Sequence, residues 1–413
     1  MIGQIAGGAS RPNAVTAAQP AVAVVEISVI VPARNAAGDL GDCLRHLQAS
    51  EDCQFEIIVV DDASTDATVE VAKAMGARVI SLGEQCGPAV ARNRGALIAA
   101  GDMVVFIDAD VFVNPSTVSQ LANCLHDSKY DAVIGSYDAS PIQTNLISQY
   151  KNLLHHHTHQ IGNLEASTFW SGCGAIRRER FLELGGFSED YHRPCMEDIE
   201  LGTRLRKAGA RILLNPKIQA THAKRWTLTS LVKTDFFDRA LPWTRLILRQ
   251  HSMPNDLNVR VSQRFSVICV ALMVLLIAIS SWWEPEALLL LATMFMFVCV
   301  IDRIEGKEII RWGRRAGASA MVGTFCAMSL LAPATALVIA LTFVAVALLN
   351  LPLIRFFADN RGLVFGILTV PLHILYFFYS GLAFAVGVVL HVVDLLLVRQ
   401  QTCERVTEVS EVA

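Results

Sequence analysis

None of the ten cysteines, scattered from Cys43 to Cys403, forms a CxxC pair with another. That argues against a zinc site or a disulfide framework and fits a reducing, cytosolic setting. Charge is also scarce: Asp, Glu, Lys and Arg make up 18% of the 413 residues while 53% are hydrophobic, a balance that places part of the chain in lipid. A net charge of -3 leaves no global basic surface, so no nucleic-acid partner is expected and phosphate-bearing ligands must be held locally. Residues 1–25 lack the cationic start and long apolar run of a signal peptide and read as a flexible lead. Sustained heptads are absent too, and with them any sequence sign of a coiled coil.

Regular pattern begins at Ile27. ISVIVP (27–32), FEIIVVDD (55–62), ARVISL (77–82) and MVVFIDAD (103–110) are short β-branched runs bounded by turn residues or carboxylates, the pattern of parallel strands buried on both faces. Helical spacing lies between them, at Leu40, Cys43, Leu44 and Leu47, then from Val69 to Met75, then from Val90 to Ile98. The alternation over 26–130 predicts a doubly wound, Rossmann-like α/β sheet forming a nucleotide-binding half. Residues 131–226 are less regular, with strand-like AVIGSY (132–137) and RILLNP (211–216), and suit an acceptor-binding and catalytic half. From 227 to 264, Lys233, Phe236, Phe237, Arg239, Trp243 and Arg245 mix cations with aromatics as an interfacial amphipathic segment does.

Runs 265–281, 285–301, 317–334, 337–354 and 363–397 are nearly free of charge and each about bilayer length. They predict an all-α transmembrane region of four to six crossings over 265–397, the last run being one helix or a hairpin, with a tail at 398–413. Cations gather at 303–315 and 355–361 but not near Trp282–Glu284 or Pro333–Thr335. Positive-inside bias therefore puts the N-terminal domain in the cytoplasm, at the inner face of a multi-pass cell-membrane protein.

In an open parallel sheet the ligand sits beyond the carboxyl ends of the strands. Three polar clusters lie at such ends: Pro32-Ala33-Arg34-Asn35, Asp61-Asp62 and Asp108-Ala109-Asp110. Asp108 and Asp110 straddle one residue, so on an extended strand both would face one ion. Hard oxygen ligands suit Mg²⁺ or Mn²⁺, and such an ion would stabilise a diphosphate leaving group.

IIVVDDASTD (57–66), GPAVARNRG (87–95), FIDAD (106–110), WSGCGAIRRERFLELGGF (170–187) and MEDIELGTRLRKAG (196–209) together resemble the family 2 glycosyltransferases with the GT-A fold, over about residues 27–226. The resemblance implies a nucleotide-sugar donor, a divalent cation and inversion at the anomeric carbon. Matched position by position, it puts Pro32, Arg34, Asn35, Asp61 and Asp62 at the nucleoside pocket, with Asp62 on the uracil edge. Arg92 and Asn93 then pack over the donor or serve structure, and Asp108 and Asp110 hold diphosphate and metal. Asp198, beside Glu197, takes the place of the catalytic base; the competing reading is a carboxylate that favours a helix N-terminus.

Trp170, Gly172, Cys173 and Gly174 form a small-residue turn expected to border the acceptor or sugar pocket. His222-Ala223-Lys224-Arg225-Trp226 resembles the region where processive relatives carry QxxRW, but the Gln is absent. There His222 is a candidate metal ligand, and Arg225 and Trp226 a phosphate-binding or membrane-proximal pair. His155, His156, His157 and His159 look like a metal tract, yet consecutive residues point in different directions, which favours a structural or acceptor-groove role. The sequence thus predicts transfer from a uridine-diphosphate sugar to a lipid or lipid-linked acceptor. A processive polysaccharide synthase and a catalytically dead scaffold are the alternatives.

Overall fold

The computed structural model describes residues 26–250 apart from 128, residues 260–286 and 322–411, and the single positions 288, 292 and 319. The run expected at 285–301, the cation-rich stretch 303–315, the N-terminal lead and residues 251–259 thus fall wholly or almost wholly outside the described residues.

Strands β1 (Ile27–Ala33), β2 (Phe55–Asp61), β3 (Arg78–Ser81) and β4 (Met103–Ile107) alternate with helices α1 (Ala37–Gln48), α2 (Thr68–Ala74) and α3 (Pro88–Ile98). These four strands are parallel and adjacent in the order β3-β2-β1-β4. Their apolar runs are continuous because both faces are covered. Val29, Val31, Val59, Val105 and Ile107 pack on one side with Leu40, Leu44 and Leu47. Ile30, Ile58, Val60, Val104 and Phe106 pack on the other with Phe169, Phe181 and Phe187.

The second half departs from the parallel pattern. Its elements are β5 (Val111–Val113), α4 (Thr117–His126), β6 (Ala132–Tyr137), α5 (Leu146–Gln160), β7 (Cys173–Arg177), α6 (Arg178–Glu183), α7 (Glu197–Lys207) and β8 (Ile212–His222). The full sheet runs β3-β2-β1-β4-β7-β6-β8-β5, with β7 antiparallel to both neighbours and β5 antiparallel to β8. Strand β8 outruns the predicted 211–216 by continuing through Pro216. A proline lacks the ladder donor and is tolerated at a bulge, and the register on β6 slips here, from Ile134 opposite Leu214 to Ser136 opposite Gln219.

Behind the sheet come α8 (Leu228–Lys233), a π-helical stretch (Thr234–Ala240), α9 (Leu241–Gln250), α10 (Val261–Ser280), α11 (Val322–Leu331), α12 (Pro333–Leu349), α13 (Leu351–Arg361) and α14 (Leu363–Glu411). Among the described residues two helices are long and apolar enough to cross a bilayer, α10 and the Leu363–Leu396 part of α14. The run expected at 337–354 is broken: α12 and α13 meet at Asn350 with an 80° bend. Run 363–397 is one helix with Pro371 inside it, and the expected tail continues that helix to Glu411. Glu284 accepts from Ala334 N–H (3.0 Å) and Thr335 N–H (3.0 Å), so the two cation-free turns lie together. A core of Tyr150, Leu153, Trp226, Leu353, Phe357 and Phe365 seats α5 on α13 and α14.

Candidate active site

The loops at the ends of β1 and β2 are braced by their own polar side chains. Asn35 adopts the left-handed backbone (φ 47°); its N–H donates to Ser64 Oγ (2.9 Å) and its Oδ1 accepts from Thr65 N–H (2.8 Å). Asp61 accepts from Ser64 N–H (3.3 Å). Asp62 is buried, with one oxygen taking Cys86 N–H (2.7 Å) and the other Gly87 N–H (3.0 Å). Gly87 itself sits at φ 94°, and a Cβ there would come within 2.6 Å of the His192 backbone, so this loop needs glycine. Asn35, Asp61 and Asp62, placed by the resemblance at the nucleoside pocket, therefore spend these acceptors on backbone. Pro32 is half-buried within β1, and Arg34 stands exposed at the rim.

Asp108 and Asp110 are not on an extended strand. β4 stops at Ile107, and Val111 N–H donates to Asp108 O (3.0 Å), which makes a tight turn before β5. The turn gives each carboxylate its own partner. Asp108 Oδ1 accepts from Arg92 Nη2 (2.7 Å), while Asp110 Oδ2 lies 3.6 Å from His222 Nε2. Arg92 is buried over the Phe187 ring, and its Nη1 donates to Glu197 Oε1 (2.9 Å). One guanidinium thus ties the acidic turn to the start of α7. Glu197, expected beside Asp198 as catalytic, also accepts from Cys195 N–H (2.9 Å), so both of its oxygens are held. The Asn93 side chain clasps Phe187 N–H and C=O, each at 2.9 Å.

Asp198 is the freer acid of the pair. It is half-buried and accepts from Ile199 N–H (2.8 Å). Burial and the neighbouring Glu197 push its carboxyl up to about 7, against the pull of Arg92. A carboxylate that binds its proton near neutrality suits general-base work, since it takes a proton more readily than an ordinary acid.

Asp110 and His222 fit a divalent ion. His222 Nδ1 and Asn152 Oδ1 are 2.7 Å apart, so the Nδ1–H points to the amide oxygen and Nε2 is the ring atom left to take an ion beside Asp110. Despite burial, His222 and Lys224 hold the Asp110 carboxyl below its ordinary value. Among the described residues no three His, Cys, Asp or Glu side chains converge to cage an ion by themselves. An oxygen-nitrogen pair completed by diphosphate oxygens and water matches Mg²⁺ or Mn²⁺, which keep such ligands.

An aromatic wall stands beside this pair. Tyr137 stacks on His222 (centroids 4.3 Å) and meets Trp170 edge-on (4.7 Å), and Trp170 packs against His155 (5.2 Å) and His159 (5.0 Å). Trp170 is half-buried. Gly172 packs against the Trp170 indole and its carbonyl accepts from Asp108 N–H (3.4 Å). Cys173 and Gly174, expected in the pocket, are instead the fully buried start of β7, where a Cβ on Gly174 would overlap Trp170 O. The histidine tract is bonded within the domain. His155 and His159 share a hydrogen bond (3.1 Å), His156 bonds Tyr137 O (2.6 Å), and burial pushes His159 down to about 4 and His155 well below its ordinary value.

Arg225 is exposed, whereas Trp226 is buried with Tyr150 and Phe357 and cannot contact phosphate. The sequence reading missed Tyr137, Asn152 and the loop cation Arg193, which reaches Asp238 of the π-helix (3.1 Å). For Asn152 a signal existed: polar Ser148, Asn152 and His156 recur every four residues on a helix that also carries Ile147, Tyr150 and Leu153.

The Glycosyl transferase family 2 signature matches residues 28–185, and a second signature, described as the N-terminal domain of galactosyltransferase, matches 153–225. A Streptococcus pneumoniae protein, glycosyltransferase GlyG, is 33% identical over 116 residues, 27% of this chain and 38% of its own length. The pre-mycofactocin glycosyltransferase of Mycobacterium tuberculosis is 28% identical over 224 residues, 51% of this chain and 46% of its own. The chain therefore spans less than half the length of either relative. A mannosyltransferase from Pyrobaculum calidifontis, solved with GDP-Man and Mn²⁺, aligns over 79% of this chain and 87% of its own at 20% identity, with a TM-score of 0.47. The signature and the strand order that sets an acidic turn beyond β4 agree, and residues 28–185 are a glycosyl transferase family 2 domain with the GT-A fold.

Proposed function

We propose that the chain transfers a sugar, with inversion, from a nucleotide-diphospho-sugar to a hydroxyl of a lipid or lipid-linked acceptor at the cytoplasmic face of the inner membrane. The observation that carries this reading is the Arg92 link. It holds Asp198, whose carboxyl is raised to about 7, in one site with the acidic turn at 108–110. Asp198 accepts the acceptor's hydroxyl proton as that oxygen attacks the anomeric carbon. Asp110 and His222 would hold a divalent ion, which, when bound, would stabilise charge on the departing nucleoside diphosphate. Trp170 and Tyr137 border the sugar.

Two features support the membrane-borne acceptor. The domain rests through Trp226 and α5 on α13 and α14, and α14 and α10 are long enough to span a bilayer. The loop that leads into Asp198 is tied to the π-helix, where Arg193 Nε lies 3.1 Å from Asp238 Oδ1.

The test is nucleotide release from a panel of UDP- and GDP-sugars by detergent-purified full chain, with and without Mn²⁺. Metal-dependent release from one donor, lost in Asp110→Ala and Asp198→Asn, supports the transferase. Equal turnover of water-soluble and lipid acceptors sinks the membrane part, and no turnover with no metal-dependent nucleotide binding sinks the whole.

A further inference from the structure

We infer that Asn152 is a positioning residue that fixes the His222 tautomer for metal binding. This rests on the reading of Asp110 and His222 as the ion's protein ligands. Asp110 Oδ2 and His222 Nε2 face each other at 3.6 Å, an arrangement that takes a cation between them only while Nε2 carries a lone pair. Asn152 supplies that condition from the opposite edge of the ring. Its Oδ1 lies 2.7 Å from Nδ1, so the imidazole proton is held there.

Three features make this a built arrangement. Asn152 is 2% exposed and His222 8%, so water does not compete for the ring nitrogen. The Tyr137 ring lies parallel to the imidazole, 6° apart in plane, and prevents it from swinging out of line with the amide. Asn152 Nδ2 is buried and has no hydrogen-bond partner. An orphaned buried donor is costly, and a leucine of similar size would avoid the cost. The amide's remaining contribution is the oxygen it turns to His222. The same helix face fixes the far end of the segment: Asn145 Nδ2 and Ser148 Oγ both donate to Trp226 O, and Trp226 N–H donates back to Ser148 Oγ (2.7 Å). Helix α5 therefore grips residues 222–226 at both ends, with Asn152 the grip that touches a ligand.

The test reads metal binding without turnover. Mn²⁺ is titrated into detergent-purified full chain with UDP or GDP, and free ion is followed by its electron paramagnetic resonance signal. Losing an outer-shell partner of this kind costs about 10–100-fold in metal affinity, so Asn152→Leu weakens Mn²⁺ by that factor. Asn152→Asp, which can only accept, keeps affinity within about 3-fold, a rescue that a merely structural role would not give. In a His222→Ala background Asn152→Leu has no further effect.

Asn152→Leu binding as tightly as wild type overturns the inference, as does Asn152→Asp binding as weakly as Asn152→Leu. If wild type itself binds no Mn²⁺ with either nucleotide, the reading of Asp110 and His222 has failed, and the inference fails with it. Should Asn152→Leu not fold, Asn152→Ala takes its place in both backgrounds, with the same expected and overturning results.

Discussion

Two regions of the domain satisfy their polar groups over different distances along the chain. In the loops after β1 and β2 the partners lie within 30 residues: Asp61 with Ser64, Asn35 with Thr65, Asp62 with the 86–87 backbone. Around the acidic turn and helix α5 they are remote. Arg92 reaches Glu197, His222 reaches Asn152, Lys151 Nζ donates to Asp235 Oδ1 (2.7 Å), and Tyr379 OH donates to Asp235 Oδ2 (2.8 Å). Local bracing makes a loop that works on almost any support. Remote bracing makes a site whose geometry depends on the whole fold, including α14, which carries Tyr379.

The comparison breaks hardest at the chemistry. Asp198→Asn should lower kcat by about 10²–10⁴-fold, as loss of a general base does, read as nucleotide release with acceptor present. It should not lower the melting temperature at pH 8. The folded state binds this proton more tightly than the unfolded chain, whose acid sits near 3.8. Stability is therefore lost as pH rises from about 4 through about 7, and the amide removes that penalty.

Arg92→Ala comes next. It strands Glu197 and half-buried Asp108 without their cation, and breaking one side of a buried pair costs about 3–5 kcal/mol. Denaturant unfolding in detergent measures it, and a loss under 1 kcal/mol would remove Arg92 from its central place.

The pH dependence sharpens the same contrast. Below 7 the wild-type rate should rise about tenfold per pH unit as Asp198 ionises, then level off. A flat profile between pH 5 and 8 would assign the proton transfer elsewhere.

Smaller effects test the link to the C-terminal helices. Gly387→Leu inserts a side chain where even a Cβ comes within 2.7 Å of Thr244 Cγ2, and such overpacking costs about 1–3 kcal/mol. Tyr379→Phe removes one hydrogen bond to Asp235, a charged acceptor, for about 1.5–3 kcal/mol at most. If remote bracing matters for function, Tyr379→Phe lowers kcat more than it lowers the melting temperature would suggest, whereas Asn35→Ala, a local brace, does not.

Residue by residue, sequence alone was enough for the first half. β1, β2 and β4 fall on the apolar runs beginning at Ile27, Phe55 and Met103, because strands buried on both faces leave an uninterrupted β-branched record. The turns that close them announce themselves through residues that prefer positive φ or cap locally, such as Asn35 and Gly87. The antiparallel β7 left no such record: Cys173-Gly174-Ala175 is small because Trp170 and Phe169 crowd it, and smallness reads as a turn.

Among the site residues, the sequence determined which carboxylates exist and that they follow strands. It put Asp108 and Asp110 on an extended strand, and the turn after Ile107 was decided by β5 leaving to pair with β8, more than 100 residues on. The resemblance placed the base at Asp198 with Glu197 beside it. Only the tertiary structure brought Arg92 from α3 onto Glu197, leaving Asp198 beside that negative charge with its own pKa raised. Composition and strand pattern are local quantities and survive in the sequence; the partner of a buried charge is chosen by the packing of the whole chain.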